Sequence, residues 1–379
     1  MFVLLFAAVL GGVHYYLWRR LVRDTTRTRR ARRVGTVVLV ALYALMLAAL
    51  SLTRVSFAAG SVVAWPGYLW LALAFYLALA LAVLEVPRVL LQRRTAPEDP
   101  DRRRFIARSI AVAGGVAATG VVGYGMTEAL GEPRLKRVPI VLPKLDPKLT
   151  GYRIAVVSDI HLGPLLGRAH TERIVRLING VEADLVAIVG DLVDGTVEEL
   201  GEAAAPLRDL VSTHGSFFVT GNHEYYSGAQ PWLAELERLG VHPLRNERVA
   251  VERAGARFDL AGVNDVTGAG FADGPDFAKA LDGRDASRPV VLLAHQPVQA
   301  HEAARHGVDL QLSGHTHGGQ MFPFHLAVGL QQPVRSGLAT VDGMPVYVSN
   351  GAGFWGPPVR VGAPPDVTVV ELRHKLAAG

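Results

Sequence analysis

The stretch Arg153-Ile154-Ala155-Val156-Val157-Ser158-Asp159-Ile160-His161 decides the fold. Its first five residues form a short apolar run, β-branched at three positions, which predicts a buried strand. Asp159 and His161 stand just past the carboxyl end of that strand. The same arrangement returns four times. Leu185–Val189 runs into Gly190-Asp191-Leu192-Val193-Asp194, and Ser216–Val219 into Thr220-Gly221-Asn222-His223-Glu224. Val290–Ala294 runs into His295, and Leu310–Leu312 into Ser313-Gly314-His315-Thr316-His317. Further strands are expected over Phe258–Ala261, Val346–Val348 and Val367–Leu372. Helical periodicity marks Thr171–Asn179, Val197–Val211, Pro231–Leu239 and Val298–Arg305. Short strands alternating with amphipathic helices predict an α/β domain. Ligands of open α/β sheets gather at the carboxyl ends of strands, so residues scattered from 159 to 317 are expected to converge.

The residue types at those ends specify a chemistry. Carboxylate, amide oxygen and imidazole suit divalent ions of intermediate hardness, such as manganese, iron or zinc. Asp159, His161, Asp191, Asn222, His295, His315 and His317 are too many donors for one ion and suit two ions that share a carboxylate. Such a pair can clamp both the attacking and the leaving oxygen of a phosphoryl group. Gly190, Gly221 and Gly314 each precede a candidate ligand, where a missing Cβ allows a tight turn. Two divalent ions outweigh the two carboxylates, so the cleft is expected to attract an anion. The chain has no cysteine, which excludes disulfides, thiolate metal sites and a cysteine nucleophile.

Asp159-x-His161, Gly190-Asp191-x-x-Asp194, Gly221-Asn222-His223-Glu224, His295 and Gly314-His315-x-His317 together resemble the signature of the calcineurin-like metallophosphoesterase superfamily. Ala294-His295-Gln296-Pro297 and the run His315-Thr316-His317-Gly318-Gly319-Gln320 look like its bacterial membrane-associated branch. The resemblance covers about residues 150–375 and implies a two-sheet α/β sandwich. It implies that Asp159, His161, Asp191 and His317 hold a first metal. Asp191, Asn222, His295 and His315 would hold the second, with Asp191 shared. It also implies that His223 contacts the phosphate and protonates the leaving oxygen. Asp194 and Glu224 read as supports that orient ligands.

Outward from this domain the composition changes. Residues 1–126 hold 16 Arg and 5 acidic residues, a net of +11, whereas residues 127–379 carry a net of −6. Four apolar stretches, Phe2–Trp18, Val34–Leu52, Val62–Leu84 and Phe105–Met126, predict a transmembrane region of about four helices over residues 1–126. The loop Arg19–Arg33 has eight Arg, the loop Thr53–Ser61 only Arg54, and the loop Pro87–Arg108 seven Arg. Positive loops stay in the cytoplasm, so residues after Met126 are expected on the extracytoplasmic side of the cytoplasmic membrane. Asp101-Arg102-Arg103-Arg104-Phe105-Ile106 resembles a twin-arginine export signal, with Asp101 where Ser or Thr is usual. The bland alternative is a block of positive charge before a span, and both readings give the same orientation. Residues 127–150, with four prolines, read as a linker, and residues 151–375 as the catalytic domain.

The basic charge belongs to the loops between apolar stretches rather than to the folded domain, so no nucleic-acid partner is expected. Tethering favours a phospholipid, a lipid-linked sugar phosphate or an envelope polymer over a free nucleotide, with hydrolysis of a phosphodiester or pyrophosphate as the expected reaction. A membrane sensor that binds a phosphate ligand without turnover is the rival reading. A transporter is disfavoured because the strongest apolar stretches lack interior ionisable residues. Phe354-Trp355 reads either as a packed loop or as an aromatic lip toward a bilayer. Oligomeric state is not legible.

Overall fold

The computed structural model describes residues 2–93 and 99–375. The chain divides into two compact units. One holds residues 1–127 with 356–359, and the other residues 128–355 with Arg360 onward.

The first unit is built from helices α1 (Phe2–Leu17), α2 (Arg29–Val55), α3 (Phe57–Arg93) and α4 (Pro100–Leu130), whose last turn belongs to the second unit. Helices α2, α3 and α4 are long and apolar enough to cross a membrane. The 16 residues of α1 rise about 24 Å against a hydrocarbon core of about 30 Å, and a π-helical turn, Trp18–Arg23, continues it. The helices outrun the apolar stretches. Thus α3 continues through Pro87 to Arg93, and residues 94–98 of the basic loop read from Pro87 to Arg108 lie outside the described residues. The unit is pinned by polar contacts: Trp70 Nε1 donates to His14 Nε2 at 2.9 Å and Tyr43 Oη to the Ala7 carbonyl at 2.8 Å. Arg20 and Arg88 pair with Asp24 and Glu85.

The second unit is a sandwich of two six-stranded sheets. Its strands in chain order are β1 (Arg134–Leu142), β2 (Tyr152–Val157), β3 (Leu185–Val189), β4 (Ser216–Val219), β5 (Val241–Pro243), β6 (Glu247–Arg253), β7 (Ala256–Gly262), β8 (Val290–Leu293), β9 (Leu310–Ser313), β10 (Gly337–Val341), β11 (Met344–Val348) and β12 (Asp366–His374). The first sheet has the order β1-β12-β2-β3-β4-β5 and the second β10-β11-β9-β8-β7-β6. In the first, β2, β3, β4 and β5 run parallel and β12 opposes β2. In the second, β7, β8, β9 and β11 run parallel. Ile154, Val156, Ala187 and Val189 of one sheet and Phe258, Leu260, Leu293 and Leu312 of the other share one buried cluster, which is the two-sheet packing that the resemblance implied. Helices α5 (Arg168–Asn179), α6 (Val197–Ala204), α7 (Asn222–Ser227), α8 (Ala229–Arg238), α9 (Phe277–Leu281), α10 (Ala300–Arg305) and α11 (His325–Val328) complete it. Because β2, β3, β4, β8 and β9 are parallel within their sheets, the segments that leave their carboxyl ends lie along one rim of the sandwich.

The linker reading of residues 127–150 is corrected in part. Residues 128–130 close α4, and Arg134–Leu142 is an edge strand whose register along β12 runs from Arg134 opposite Asp366 to Leu142 opposite His374. Pro139 is tolerated there because an edge strand has one side free of the ladder.

Candidate metal centre

The segments that leave β2 and β3 are knit to each other. The Asp159 N–H donates to Gly190 O at 3.0 Å, His161 N–H to Asp191 O at 3.2 Å and Leu162 N–H to Leu192 O at 2.8 Å. Five candidate ligands sit at left-handed backbone angles: Asp159, His161, Asp191 and His317 at φ 50–53° and His315 at 71°. Such angles cost non-glycine residues on the order of 1–3 kcal/mol each and collect at functional sites. The glycines permit the approach. A Cβ on Gly221 would collide with the Asp191 carboxylate, and one on Gly314 with the Asp159 carboxylate.

Two groups of donors result. In the first, His317 Nε2 lies 3.3 Å from Asp159 Oδ1 and 3.0 Å from His161 Nε2. In the second, Asp191, His295 and His315 bring ligand atoms within 4.8 Å of one another. Asp191 Oδ2 lies 3.1 Å from His295 Nε2 and 3.9 Å from His161 Nε2, so one carboxylate oxygen faces both groups. Asp159, His161, Asp191 and His295 are almost wholly buried. Asn222 begins α7, directly after β4, and its Oδ1 is buried without a hydrogen-bond partner.

The surroundings fix each side chain. His295 Nδ1 donates to Val189 O at 2.8 Å, which aims Nε2 at Asp191 Oδ2. Ser158 Oγ donates to Asp159 Oδ2 at 2.5 Å, and the His315 N–H donates to the same carboxylate at 3.0 Å. Glu224 accepts the N–H groups of Asp191, Leu192 and Gly221 at 3.0, 2.8 and 2.6 Å and so ties the β3 segment to the β4 segment. Burial, with Asp191 beside it, raises the Glu224 carboxyl to about 7. Asp194 sits 3.1 Å from His161 Nδ1 and 2.5 Å from His223 Nδ1. Burial pushes His223 down, but Asp191 and Asp194 outweigh it and raise the ring to about 9. Burial opposes ionisation of Asp194 as well, yet His161 and His223 hold its carboxyl well below the usual range.

The donor set fits divalent cations. The buried Asn222 Oδ1 has no hydrogen-bond partner, and His295 Nε2 faces the Asp191 carboxylate at 3.1 Å. Burial, then His295, lowers His315 to about 4, and burial, His161 and Arg360 drive His317 well below its usual range, so both rings are neutral and ligand-competent. Four imidazoles and two buried carboxylates converge there, a donor set that suits divalent cations.

Two residues of this region were not singled out in the sequence. Arg360 is fully buried and donates to the carbonyls of Ala363 (2.9 Å), Asn350 (2.8 Å), Gly353 (2.8 Å from Nε) and His317 (3.3 Å), while its Nη2 lies 3.1 Å from His317 Nδ1. Burial lowers its guanidinium to about 10. No local pattern announces this residue. Asp265 is fully buried, takes the Gln296 side-chain N–H on Oδ1 at 3.0 Å, and has a buried Oδ2 without a partner. It follows β7 as the other acids follow their strands, a signal available in the sequence. The loop at Phe354-Trp355 divides the two readings given to it. Phe354 is buried with Ala129 and Leu166, whereas Trp355 is half exposed, its ring 6.2 Å from that of His223.

A two-sheet α/β sandwich with carboxylate, amide and imidazole donors gathered on one rim defines the class of metal-binding hydrolytic folds. Residues 152–319 match the family described as calcineurin-like phosphoesterase. An uncharacterized metallophosphoesterase of Helicobacter pylori strain J99 is 42% identical over 282 residues, 74% of each chain. The uncharacterized metallophosphoesterase Cj0846 of Campylobacter jejuni is 30% identical over 377 residues, 97% of this chain and 96% of that one. A Bos taurus transmembrane protein with metallophosphoesterase domain is 40% identical over 291 residues, 72% of this chain and 64% of that one. The chain belongs to the calcineurin-like metallophosphoesterases, metal-dependent hydrolases of phosphate esters. Its three long apolar helices support association with a membrane.

Proposed function

We propose that this protein is a membrane-anchored phosphoesterase with two divalent ions that hydrolyses a phosphodiester or pyrophosphate. The observation that carries the reading is the single Asp191 carboxylate oxygen facing both donor groups, 3.1 Å from His295 Nε2 and 3.9 Å from His161 Nε2. Asp159, His161, Asp191 and His317 would hold one ion, and Asp191, Asn222, His295 and His315 the other. Manganese, iron and zinc all suit these donors. When bound, the ions supply electrostatic stabilisation of phosphoryl charge and a water made nucleophilic near neutral pH.

The chain's own residues do the rest. Glu224 holds the Asp191 segment through three backbone N–H groups. Asp194 aligns His161 through Nδ1 and keeps His223 protonated, with Nε2–H free to donate to the leaving oxygen. The arginine-rich loops favour an orientation with the catalytic unit outside the cytoplasm. Together with the transmembrane designation of the Bos taurus relative, the tether favours a lipid-borne or envelope phosphoester as the substrate.

The test is hydrolysis by the full chain, with added manganese, of bis-p-nitrophenyl phosphate, p-nitrophenyl phosphate and a lipid pyrophosphate in vesicles. Turnover of the diester or pyrophosphate above the monoester is expected. Saturable phosphate binding with no turnover of any of the three would make the chain a sensor instead.

A further inference from the structure

Met321–Leu330 follows the His315-to-Gly319 turn and reads Met-Phe-Pro-Phe-His-Leu-Ala-Val-Gly-Leu. Phe322 and Phe324 are each 56% exposed, Leu326 is 67% and Leu330 is 88% exposed. Isolated exposed apolar side chains are ordinary on a protein surface, whereas contiguous ones mark an interaction site. Here four large ones fall within nine positions. The base of this segment is fixed. The Phe322 N–H donates to Val361 O at 3.0 Å, and the Val361 N–H to Gln320 O at 2.7 Å. The Gln320 amide also exchanges two 3.0 Å bonds with the Trp355 backbone, so the half-exposed indole belongs to the same platform. No acidic residue occurs from Gly318 to Val341 or from Gly343 to Pro365.

We propose that the finger Met321–Leu330, with Trp355 beside it, inserts into the surface of a lipid bilayer and holds the rim that carries the metal centre against that surface. Three features favour lipid over a protein partner. The same chain carries three helices long and apolar enough to cross a membrane. The two units are joined within α4, at residues 127 and 128, with no loop between them. The finger is made of Phe and Leu without acidic groups and has a Trp at its edge, the composition of segments that bury in the headgroup and acyl boundary. The consequence for substrate, access to a lipid phosphoester without its leaving the bilayer, rests on the phosphoesterase reading, whereas the insertion itself does not.

The chain has no cysteine, so single labels need no background removal. An environment-sensitive fluorophore is placed by Leu326→Cys, by Leu330→Cys, or by Ala286→Cys on the exposed loop before β8, at the opposite strand ends. The full chain is then reconstituted into phosphatidylcholine vesicles with and without brominated acyl chains. Quenching of the first two labels and not the third is expected. Equal quenching at all three, or no quenching at the finger, overturns the proposal. A finger label shielded from water yet untouched by brominated lipid overturns it in favour of a second copy or another protein. In a second arm, the triple variant Phe324→Ser, Leu326→Ser, Leu330→Ser should keep its turnover of soluble bis-p-nitrophenyl phosphate and lose about 10-fold or more on a vesicle-borne lipid phosphoester. Equal loss on both substrates contradicts a surface-docking role. A wild-type chain inert toward the soluble diester would sink the phosphoesterase reading and leave the quenching result to decide the docking.

Discussion

Replacing Asp194 by Asn separates the two duties that this carboxylate performs. Asp194 lies 3.1 Å from His161 Nδ1 and 2.5 Å from His223 Nδ1. Asn keeps an acceptor and nearly the same volume but removes the charge. On the His161 side, loss of a carboxylate behind a ligating histidine typically lowers metal affinity about 10- to 100-fold. On the His223 side, the variant loses one of the three carboxylates that raise the ring to about 9, and a general acid is worth about 100- to 10,000-fold. Because the amide oxygen can still orient the ring, the lower end of that range, about 100-fold in turnover, is expected. The assay is turnover of a soluble diester across a manganese titration. The half-saturating metal concentration should rise, and turnover at saturating metal should stay depressed. If saturating metal restores turnover to within about threefold of wild type, the assignment of His223 as an acid held by Asp194 fails.

The raised value of His223 also makes a stability prediction for the chelated protein. A group whose folded value, about 9, exceeds its ordinary 6.5 contributes stability that is complete below 6.5 and is lost as pH rises through about 9. The size is on the order of 3 kcal/mol at most. Thermal unfolding with chelator should therefore show a Tm that falls across that window, and His223→Gln should flatten the fall; an unchanged slope in the variant contradicts the charge assignment. Arg360→Leu should cost about 3 kcal/mol or more by leaving several buried carbonyls without a donor. It should also weaken metal retention through His317, and an unaltered Tm in chemical and thermal unfolding would refute that role.

Much of the site was legible because strand and ligand announce each other. Leu185–Val189 and Ser216–Val219 were read to the residue, since an apolar β-branched or aromatic run buried in the sheet breaks sharply where a polar ligand turn begins. The strands that escaped notice lie at edges or are very short. The alternation in Arg134–Leu142 is obscured by Lys136, Arg137 and Pro139, and Glu247–Arg253 buries only one of its seven residues. Helix α7 was also missed, because six residues from Asn222 to Ser227 are too few to show a period. What no local pattern could supply was the role of Arg360, whose partners reach back 43 residues to His317. Likewise, the exposed placement of Met321–Leu330 could not be read from an apolar composition that resembles core.

Metal content is the most direct measure of the central claim, that one carboxylate serves two ions gathered from five strand ends. Purified full chain loaded with manganese and freed of excess metal should carry two ions per chain by elemental analysis, and Asp191→Ala should lose both ions together with diester turnover. Two ions retained by that variant, with turnover near wild type, would contradict the shared site.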